Sequence, residues 1–229
     1  MNRIRWLNAQ WPSSMRTIGN KLKAMPFSED SMDGFAIERV RDDFIEGRYI
    51  EKYIYQEVNS DPFGKEEVIE RTGYRSTDFT LFSQFPYIEL RNGQRSIKEF
   101  VNKLLQACNF TLVVSPITVS LLDWVASFQK ITGQKIVVDS LQVSGVALEE
   151  GITGKILLKG DRDVREAIDN IVGGKKYTLE KVQVKMTSGG KSLSVHLANN
   201  GIAKIPPDHT SDLLPLLRQS FPKSLFKIF

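Results

Sequence analysis

The stretch RYIEKYIYQEV at residues 48–58 decides the fold class of this 229-residue chain. Its side chains follow the period of two that is typical of a β-strand. Ile50, Ile54 and Val58 share one face, and three tyrosines, the first at position 49, share the other. Because both faces are partly apolar, we expect a central strand with a neighbouring strand on each side.

The same period continues around this strand and covers residues 34–91. The sequence DPFG at 61–64 is a turn signal, and Asn92-Gly93 is typical of a tight turn. Gly73 and Pro86 are expected to interrupt the strands that lie between these turns. The pattern therefore predicts an antiparallel meander over 34–91.

After the meander the apolar pattern alternates between helical and strand periods. Ser96 with Glu99 resembles a capping box, and Gly133 is typical of a helix end. We predict helices over about 13–24, 97–108, 118–132 and 162–172, strands over 1–8, 110–114, 135–143 and 154–159, and hairpin strands over 177–186 and 192–198. The predicted fold class is α+β, an N-terminal antiparallel meander followed by an alternating helix/strand half that ends in a β-hairpin.

This change of pattern near residues 92–95 also predicts a domain organisation. Residues 1–93 form a β-rich region with one N-terminal helix, and residues 94–229 form an α/β region with the C-terminal hairpin and an apolar tail. Because no linker composition marks the change, a single compact unit is the alternative.

The composition is that of a globular protein, with 41% hydrophobic and 25% charged residues. The N-terminus lacks the apolar stretch of a signal peptide, and no segment approaches the roughly 20 apolar residues of a membrane helix. The lone cysteine, Cys108, cannot form an internal disulfide, so no oxidising compartment is implied. We therefore expect a cytoplasmic protein that has no membrane partner.

The charges are unevenly distributed along the chain, whose net charge is +4. Residues 31–91 carry 8 basic and 13 acidic side chains, whereas the rest carries 23 basic and 14 acidic ones. Such an asymmetry indicates an anionic partner, or two faces that contact each other, and it is also compatible with solubility alone.

No motif for a cofactor or for catalysis is complete. Gly189-Gly190-Lys191-Ser192 resembles the end of a P-loop, but Lys185 stands where that motif needs its first glycine. A thiol nucleophile at Cys108 would need a neighbouring histidine, and His196 and His209 are too few for a zinc site with one cysteine. We therefore predict no cofactor, no metal and no catalytic residue.

One pair of acids leaves an enzymatic alternative open. Asp78 is followed by Glu89-Leu90-Arg91, a spacing that is similar to a nuclease core in which an acid precedes Glu-x-Lys on the next strand. Two clustered carboxylates would bind a divalent metal there. Arginine replaces the lysine of that pattern, so ordinary surface charge is the main interpretation and a metal-dependent nuclease is the further alternative.

The hairpin near the C-terminus is the strongest functional signal in the sequence. If its apolar rows pack on the core, lysines dominate the opposite face of a projecting ribbon. The predicted nucleic-acid-binding residues are Lys175, Lys176, Tyr177, Lys181, Lys185, Lys191 and His196. Such a surface suits contact with phosphates and little reading of bases. A solubilising outer sheet face and an acidic protein partner are the alternatives.

The C-terminal tail is the second candidate surface, because it is too apolar to remain in water. Its predicted partner-binding residues are Phe221, Leu225, Phe226, Ile228 and Phe229. The tail either packs on its own domain or docks on a protein partner or another copy of the chain.

One stretch resembles a known kind of module. It runs from Ile131-Thr132-Gly133 through Gly151-Ile152-Thr153-Gly154 to the apolar positions of the third predicted helix. It resembles small βαββα modules, including those that precede secretin pores. Those modules belong to exported proteins, and no export signal is found here, so the resemblance implies a fold and no function.

These observations lead to three hypotheses. The first is a non-catalytic nucleic-acid-binding or accessory subunit of an intracellular complex, with a prokaryotic, antiviral-defence setting as one that would fit. The second is a structural or assembly protein that uses its apolar tail. The third is the metal-dependent nuclease.

Overall fold

The computed structural model describes residues 1–60, 62–64, 66–94, 96–188 and 191–222. Helices and a mostly antiparallel set of strands confirm the α+β class. The chain forms two compact units. We call Asn8–Val114 the first unit, and Met1–Leu7 together with the described residues from Ser115 onward the second. The division thus lies after residue 114, not near residue 93, and the first seven residues join the later half.

The first unit contains the predicted meander. Its strands are β2 (Asp33–Val40), β3 (Phe44–Ser60), β4 (Glu66–Phe82) and β5 (Ile88–Arg91), and its helices are α1 (Met15–Lys23) and α2 (Lys98–Ala107). The strands pair in chain order, and every pair is antiparallel. Helix α1 begins at Ser14, whose hydroxyl accepts a hydrogen bond from the Thr17 amide.

Gly73 does not interrupt a strand, because β4 runs through it without a break. Tyr53 lies directly opposite on β3, and a Cβ at Gly73 would come within 2.5 Å of the Tyr53 ring. The glycine therefore leaves room for the tyrosine ring to lie across the strand. This is why a residue that weakens strands is found in the middle of this one.

Aromatic side chains form the core of the first unit. Phe35, Tyr49, Phe79 and Phe100 are buried, and their ring centroids are 5.5–6.4 Å apart. Phe100 comes from α2, so this helix belongs with the meander. The Tyr49 hydroxyl donates a hydrogen bond to Asp33, and burial raises the pKa of this phenol far above its usual value.

The second unit contains helices and a sheet in which six strands lie side by side and a further short strand pairs with the first of them. Its elements are the first residues of β1 (Asn2–Gln10), then β6 (Val113–Pro116), α3 (Leu121–Thr132), β7 (Val137–Glu149), β8 (Ile152–Lys159), α4 (Arg165–Val172), β9 (Thr178–Ser188), β10 (Lys191–Ala198), β11 (Ile202–Ile205) and α5 (Thr210–Gln219). The strand order is β1-β11-β10-β9-β7-β8, and neighbouring strands are antiparallel.

This order changes the interpretation of the hairpin. Strands β9 and β10 form the predicted hairpin, but β7 and β11 flank them, so the hairpin lies inside the sheet and does not project as a ribbon. The elements from β6 to α4 follow in the order strand, helix, strand, strand, helix, but β6 pairs with β1, at the opposite end of the strand order from β7 and β8.

Phe221 closes the core of the second unit. It is buried, its ring stacks on Trp124 with centroids 4.5 Å apart, and it meets the edge of Trp6 at 5.2 Å. The Trp124 indole donates hydrogen bonds to the Ser220 hydroxyl and the Leu217 carbonyl. Phe221 therefore packs on its own unit and is not offered to a partner. The other predicted tail residues, Leu225, Phe226, Ile228 and Phe229, lie outside the described residues.

Two further sequence observations concern the helices. Cys108 is fully buried at the end of α2, and burial raises the pKa of its thiol, which opposes formation of a thiolate. In the part of the chain that the structure describes, no helix combines the length and apolarity needed to cross a lipid bilayer.

Candidate nucleic-acid interface

The sheet of the second unit has one apolar and one polar face. The apolar face, which carries Ile4, Trp6, Val184 and Leu197, is buried with the helices. Because residues that pair across strands share a face, the register defines two rows of polar-face positions that cross all six strands. They are Arg3-Lys204-His196-Gln183-Ser140-Lys159 and Arg5-Ile202-Ala198-Lys181-Gln142-Leu157.

Basic side chains dominate this polar face. We call it the cationic face and define it by Arg3, Arg5, Lys155, Lys159, Lys181, Lys185 and Lys204. Six strands at a spacing of about 4.8 Å make it roughly 24 Å wide. Four of its lysines, at positions 155, 159, 181 and 204, are exposed, and the other three cations are half-buried. Such a surface can contact several phosphates of one backbone.

The structure places the predicted residues of the hairpin at different positions. Lys181, Lys185 and His196 lie on the cationic face. Lys175 and Lys176 are exposed in the segment that leads into β9. Lys191 is the first residue of β10, but its side chain is not among those that the structure describes.

Tyr177 does not lie on the cationic face. The pairing of β9 with β7 shifts between Leu179 and Lys181, so Glu180 is an additional residue at a β-bulge. The side chains of β9 that precede this bulge therefore lie on the opposite face from the one that strict alternation predicts. Tyr177 and Leu179 consequently line a small cavity with Leu141 of the sheet and Ile168 of α4. The prediction extended a strict period of two through the bulge and therefore assigned Tyr177 to the wrong face.

A second bulge places a buried acid beneath the lysines. The pairing shifts between Val138 and Ser140, which leaves Asp139 as the additional residue of β7. Its carboxylate lies 2.9 Å from the Lys185 ammonium and accepts a hydrogen bond of 3.1 Å from Gln183. The Asp139 side chain is only 1% exposed, and the Lys185 ammonium is its ion-pair partner. Lys185 is thus partly structural.

The other acid of this face, Glu180, is held by three neighbours. Its carboxylate lies 2.7 Å from the Lys155 ammonium and accepts a 2.6 Å hydrogen bond from Gln142. The hydrogen bond from Lys155, followed by those from Ser144 and Gln142, lowers the pKa of Glu180 to about 2. The carboxylate therefore stays charged and neutralises part of the Lys155 charge.

Two further groups on this face have pKa values that are lowered first by burial and second by a neighbouring cation. Burial, and next to it the charge of Lys204, lowers the pKa of His196, while Asp139 opposes the shift. Burial, followed by the charge of Arg3, lowers the pKa of Arg5 below its usual value. Each group is thus near another cation, a situation that a bound anion would relieve.

Five residues of the cationic face were not predicted from the sequence: Arg3, Arg5, Lys155, Lys159 and Lys204. A local signal existed for two of them, because Arg3 and Arg5 alternate with the buried Ile4 and Trp6. Nothing local shows, however, that β1 pairs with β11 about two hundred residues later. Only this pairing brings the arginines to the hairpin.

The two acids of the nuclease alternative lie on the same face of neighbouring strands in the first unit. Asp78 is paired with Arg91 across β4 and β5, and Glu89 is fully buried 3.5 Å from the same arginine. Within the described ranges, the structure contains no cluster of three acidic, histidine or cysteine side chains suited to a metal. The geometry at these acids is that of an ion pair within a sheet.

Comparison with known proteins does not assign the chain to a family. No protein-family model matches the sequence, and no curated protein matches it significantly. The geometry and charge of the cationic face therefore carry the functional assignment.

Proposed function

We propose that this chain is a non-catalytic nucleic-acid-binding protein that contacts the phosphate backbone through the cationic face. The observation that carries the proposal is the row that places Arg3 and Lys204 side by side on neighbouring strands, with His196 next to Lys204. Aligned cations on a flat sheet repel one another, and a polyanion laid across them removes that repulsion while it releases its own counterions.

The chemistry of the side chains favours backbone contact over base reading. Five of the seven cations are lysines, which supply point charges and do not form the bidentate hydrogen bonds by which arginine reads guanine. Tyr177, the tyrosine among the predicted nucleic-acid-binding residues, faces the cavity near α4 and is not placed to stack on bases over the cationic face. We therefore expect affinity that depends strongly on salt and weakly on sequence.

We place this activity inside the cell, as an accessory function within a larger assembly. A buried, lone Cys108 supports a reducing compartment, since nothing in the chain depends on a disulfide. A protein that only coats or positions a nucleic acid leaves the chemistry to a partner, which is why an accessory role fits this chain.

The direct test is a double charge reversal at Lys181 and Lys204. Both are exposed on the cationic face, and no ion pair with an acid is recorded for either in the described part of the chain. Binding of fluorescently labelled single-stranded and double-stranded DNA and RNA is measured by anisotropy at about 50 mM salt. Lys181→Glu with Lys204→Glu should weaken binding at least about tenfold, because several phosphate contacts are lost.

The matched control reverses two exposed lysines of the first unit, Lys23 and Lys98. Lys23→Glu with Lys98→Glu changes the net charge by the same amount but leaves the cationic face intact. Its affinity should stay within about twofold of the unmodified chain. Equal losses in both double variants would mean that net charge alone attracts nucleic acid, and the proposal would be wrong.

A further inference from the structure

The long strands of the first unit extend beyond their neighbours. Strand β2 pairs with β3 only up to Glu51, and β5 pairs with β4 only from Asp78. Between these limits and the turn, β3 and β4 pair only with each other, from Lys52 opposite Tyr74 to Ser60 opposite Glu66. We call this two-stranded segment the arm. An isolated two-stranded ribbon is marginally stable in water, so an arm of this length gains from a covering partner.

The two faces of the arm differ. On one face, Arg71 pairs with Glu57 and the Arg75 guanidinium lies 4.1 Å from the centre of the Tyr53 ring, so local contacts cover it. The other face presents Ile54, Val58, Val68 and Tyr74, each more than half exposed. Glu66 and Glu70 are both exposed and lie on this same face, along the edge of β4 that β5 does not reach. Apolar residues and acids thus alternate along one open edge.

A second open edge with the opposite charge lies in the other unit. Strand β8 ends the strand order of the second unit, so one side of its backbone has no strand beside it within the described residues. Lys155, Leu157 and Lys159 alternate along it on the cationic face, and Leu157 is 65% exposed. An edge strand with exposed apolar residues is a site at which another strand adds.

We propose that the β4 edge of one copy adds to the β8 edge of a second copy as an antiparallel strand. One register opposes unlike charges and apolar side chains on the face that carries Lys155, Leu157 and Lys159. It places Glu66 opposite Lys159, Val68 opposite Leu157 and Glu70 opposite Lys155. On the other face of the same register, Ile69 lies opposite Ile156. Opposed pairs of this kind stabilise neighbouring strands.

Charge complementarity identifies a second copy as the occupant. The order Glu-Val-Glu on β4 complements Lys-Leu-Lys on β8, and both edges belong to this chain. We take the antiparallel direction because antiparallel pairs are the commoner and the slightly more stable kind. Because the two surfaces differ, the contact is head to tail, and repeated addition produces a ring or a filament. Lys155, which pairs with Glu180 within its own copy, would then bridge two acids.

The experiment is a charge exchange measured by sedimentation of the full chain at about 10–100 µM. The unmodified chain should associate, and Glu66→Lys or Lys159→Glu alone should weaken association at least tenfold. Combining the two substitutions in one chain should restore it, because the opposed pair is re-formed with its signs exchanged. Lys23→Glu, an exposed position of α1 that belongs to neither edge, should leave association unchanged. Circular dichroism checks that each variant is folded.

A cysteine pair tests the register independently. Chains with Val68→Cys and chains with Leu157→Cys, carrying tags of different size, are mixed and oxidised. The proposed register places these residues directly opposite each other, so a disulfide should join the two kinds of chain. Glu67→Cys lies on the other face of β4 and should not form the bond. The buried Cys108 does not compete.

Two results would overturn the proposal. One is a chain that remains monomeric at 100 µM, which would leave both edges to other proteins. The other is association that the combined exchange of Glu66 and Lys159 does not restore. Neither result depends on nucleic acid, so the proposed function and the proposed assembly fail separately.

Discussion

Lys185 lies 2.9 Å from Asp139, and this contact joins the cationic face to the interior of its unit. Asp139 is buried, and its second oxygen, Oδ1, has no hydrogen-bond partner among the described residues. A buried carboxylate that loses its counterion has no water to replace it. The lysine at 185 therefore contributes to folding, and any loss of binding in a Lys185 variant mixes two effects.

Lys185→Met should lower the free energy of unfolding by about 1–3 kcal/mol, since Asp139 then keeps only the hydrogen bond from Gln183. Urea denaturation measures the loss. Lys181→Met, four positions earlier on β9 at an exposed site, should change stability by less than about 0.5 kcal/mol. Equal stabilities of the two variants would show that the Lys185–Asp139 contact contributes nothing.

His196 should respond to the removal of its neighbour. Because Lys204 lowers the pKa of His196, Lys204→Ala should raise that pKa, which a pH titration followed by NMR detects. His196→Gln identifies the signal, since His209 is the other histidine. An unchanged titration in Lys204→Ala would contradict the arrangement of the row.

The same pKa shift predicts a dependence of stability on pH. The pKa of His196 is lower in the folded chain than in the unfolded one, so the unfolded chain binds the proton more tightly. The free energy of unfolding should therefore fall as the pH decreases below the ordinary histidine pKa of about 6.5, and stop falling below the folded pKa. His196→Gln should remove this part of the pH dependence, as urea midpoints at several pH values would show.

Phe221 should be essential for the stability of the second unit. It fills the space between Trp6 and Trp124, so Phe221→Ala removes a stacked ring from a closed core. We expect a loss of about 3–5 kcal/mol, and a smaller one for Phe221→Leu, which fills more of the cavity. Tryptophan fluorescence during denaturation measures both, and a loss below about 1 kcal/mol for Phe221→Ala would contradict the packing.

Gly34 tests the close approach of two backbone segments in the first unit. A Cβ at this position would lie 2.5 Å from the Phe27 nitrogen and 2.6 Å from the Pro26 carbonyl, and a backbone cannot easily move away. Gly34→Ala should therefore destabilise the fold by several kcal/mol. At Gly154 the same atom would meet the flexible end of Leu148, so Gly154→Ala should be mild. Thermal unfolding compares the two variants.

Local patterns were sufficient for most elements of the fold. The meander follows from alternation and turns, and α2 and α3 begin and end within about three residues of the predicted limits. Gly133 ends α3 as the sequence indicates, whereas the N-cap of α2 is Ile97 and not the predicted Ser96. The limits of the units could not be predicted in this way. They depend on β1, whose residues pair with β11 at the far end of the chain, and a local period contains no information about that partner.

The candidate site shows the same distinction. The lysines at 181 and 185 were found because their strand alternates, whereas Tyr177 was misplaced because the additional residue Glu180 shifts that alternation. A bulge leaves no clear trace in the sequence, since its cost and its register are decided by the neighbouring strand. Lys204 was not predicted as a site residue, because β11 has only four residues and so short a strand shows little alternation in the sequence.

The slope of log affinity against log salt concentration is the most direct measurement of the central claim, that the cationic face binds a phosphate backbone. The unmodified chain should bind single-stranded DNA with a negative slope of about 3 to 5, as expected for roughly 4 to 7 neutralised phosphates. Lys181→Glu with Lys204→Glu should reduce the slope by about 1.4, at roughly 0.7 for each phosphate contact. A slope near zero, or one that the double variant leaves unchanged, would contradict the account.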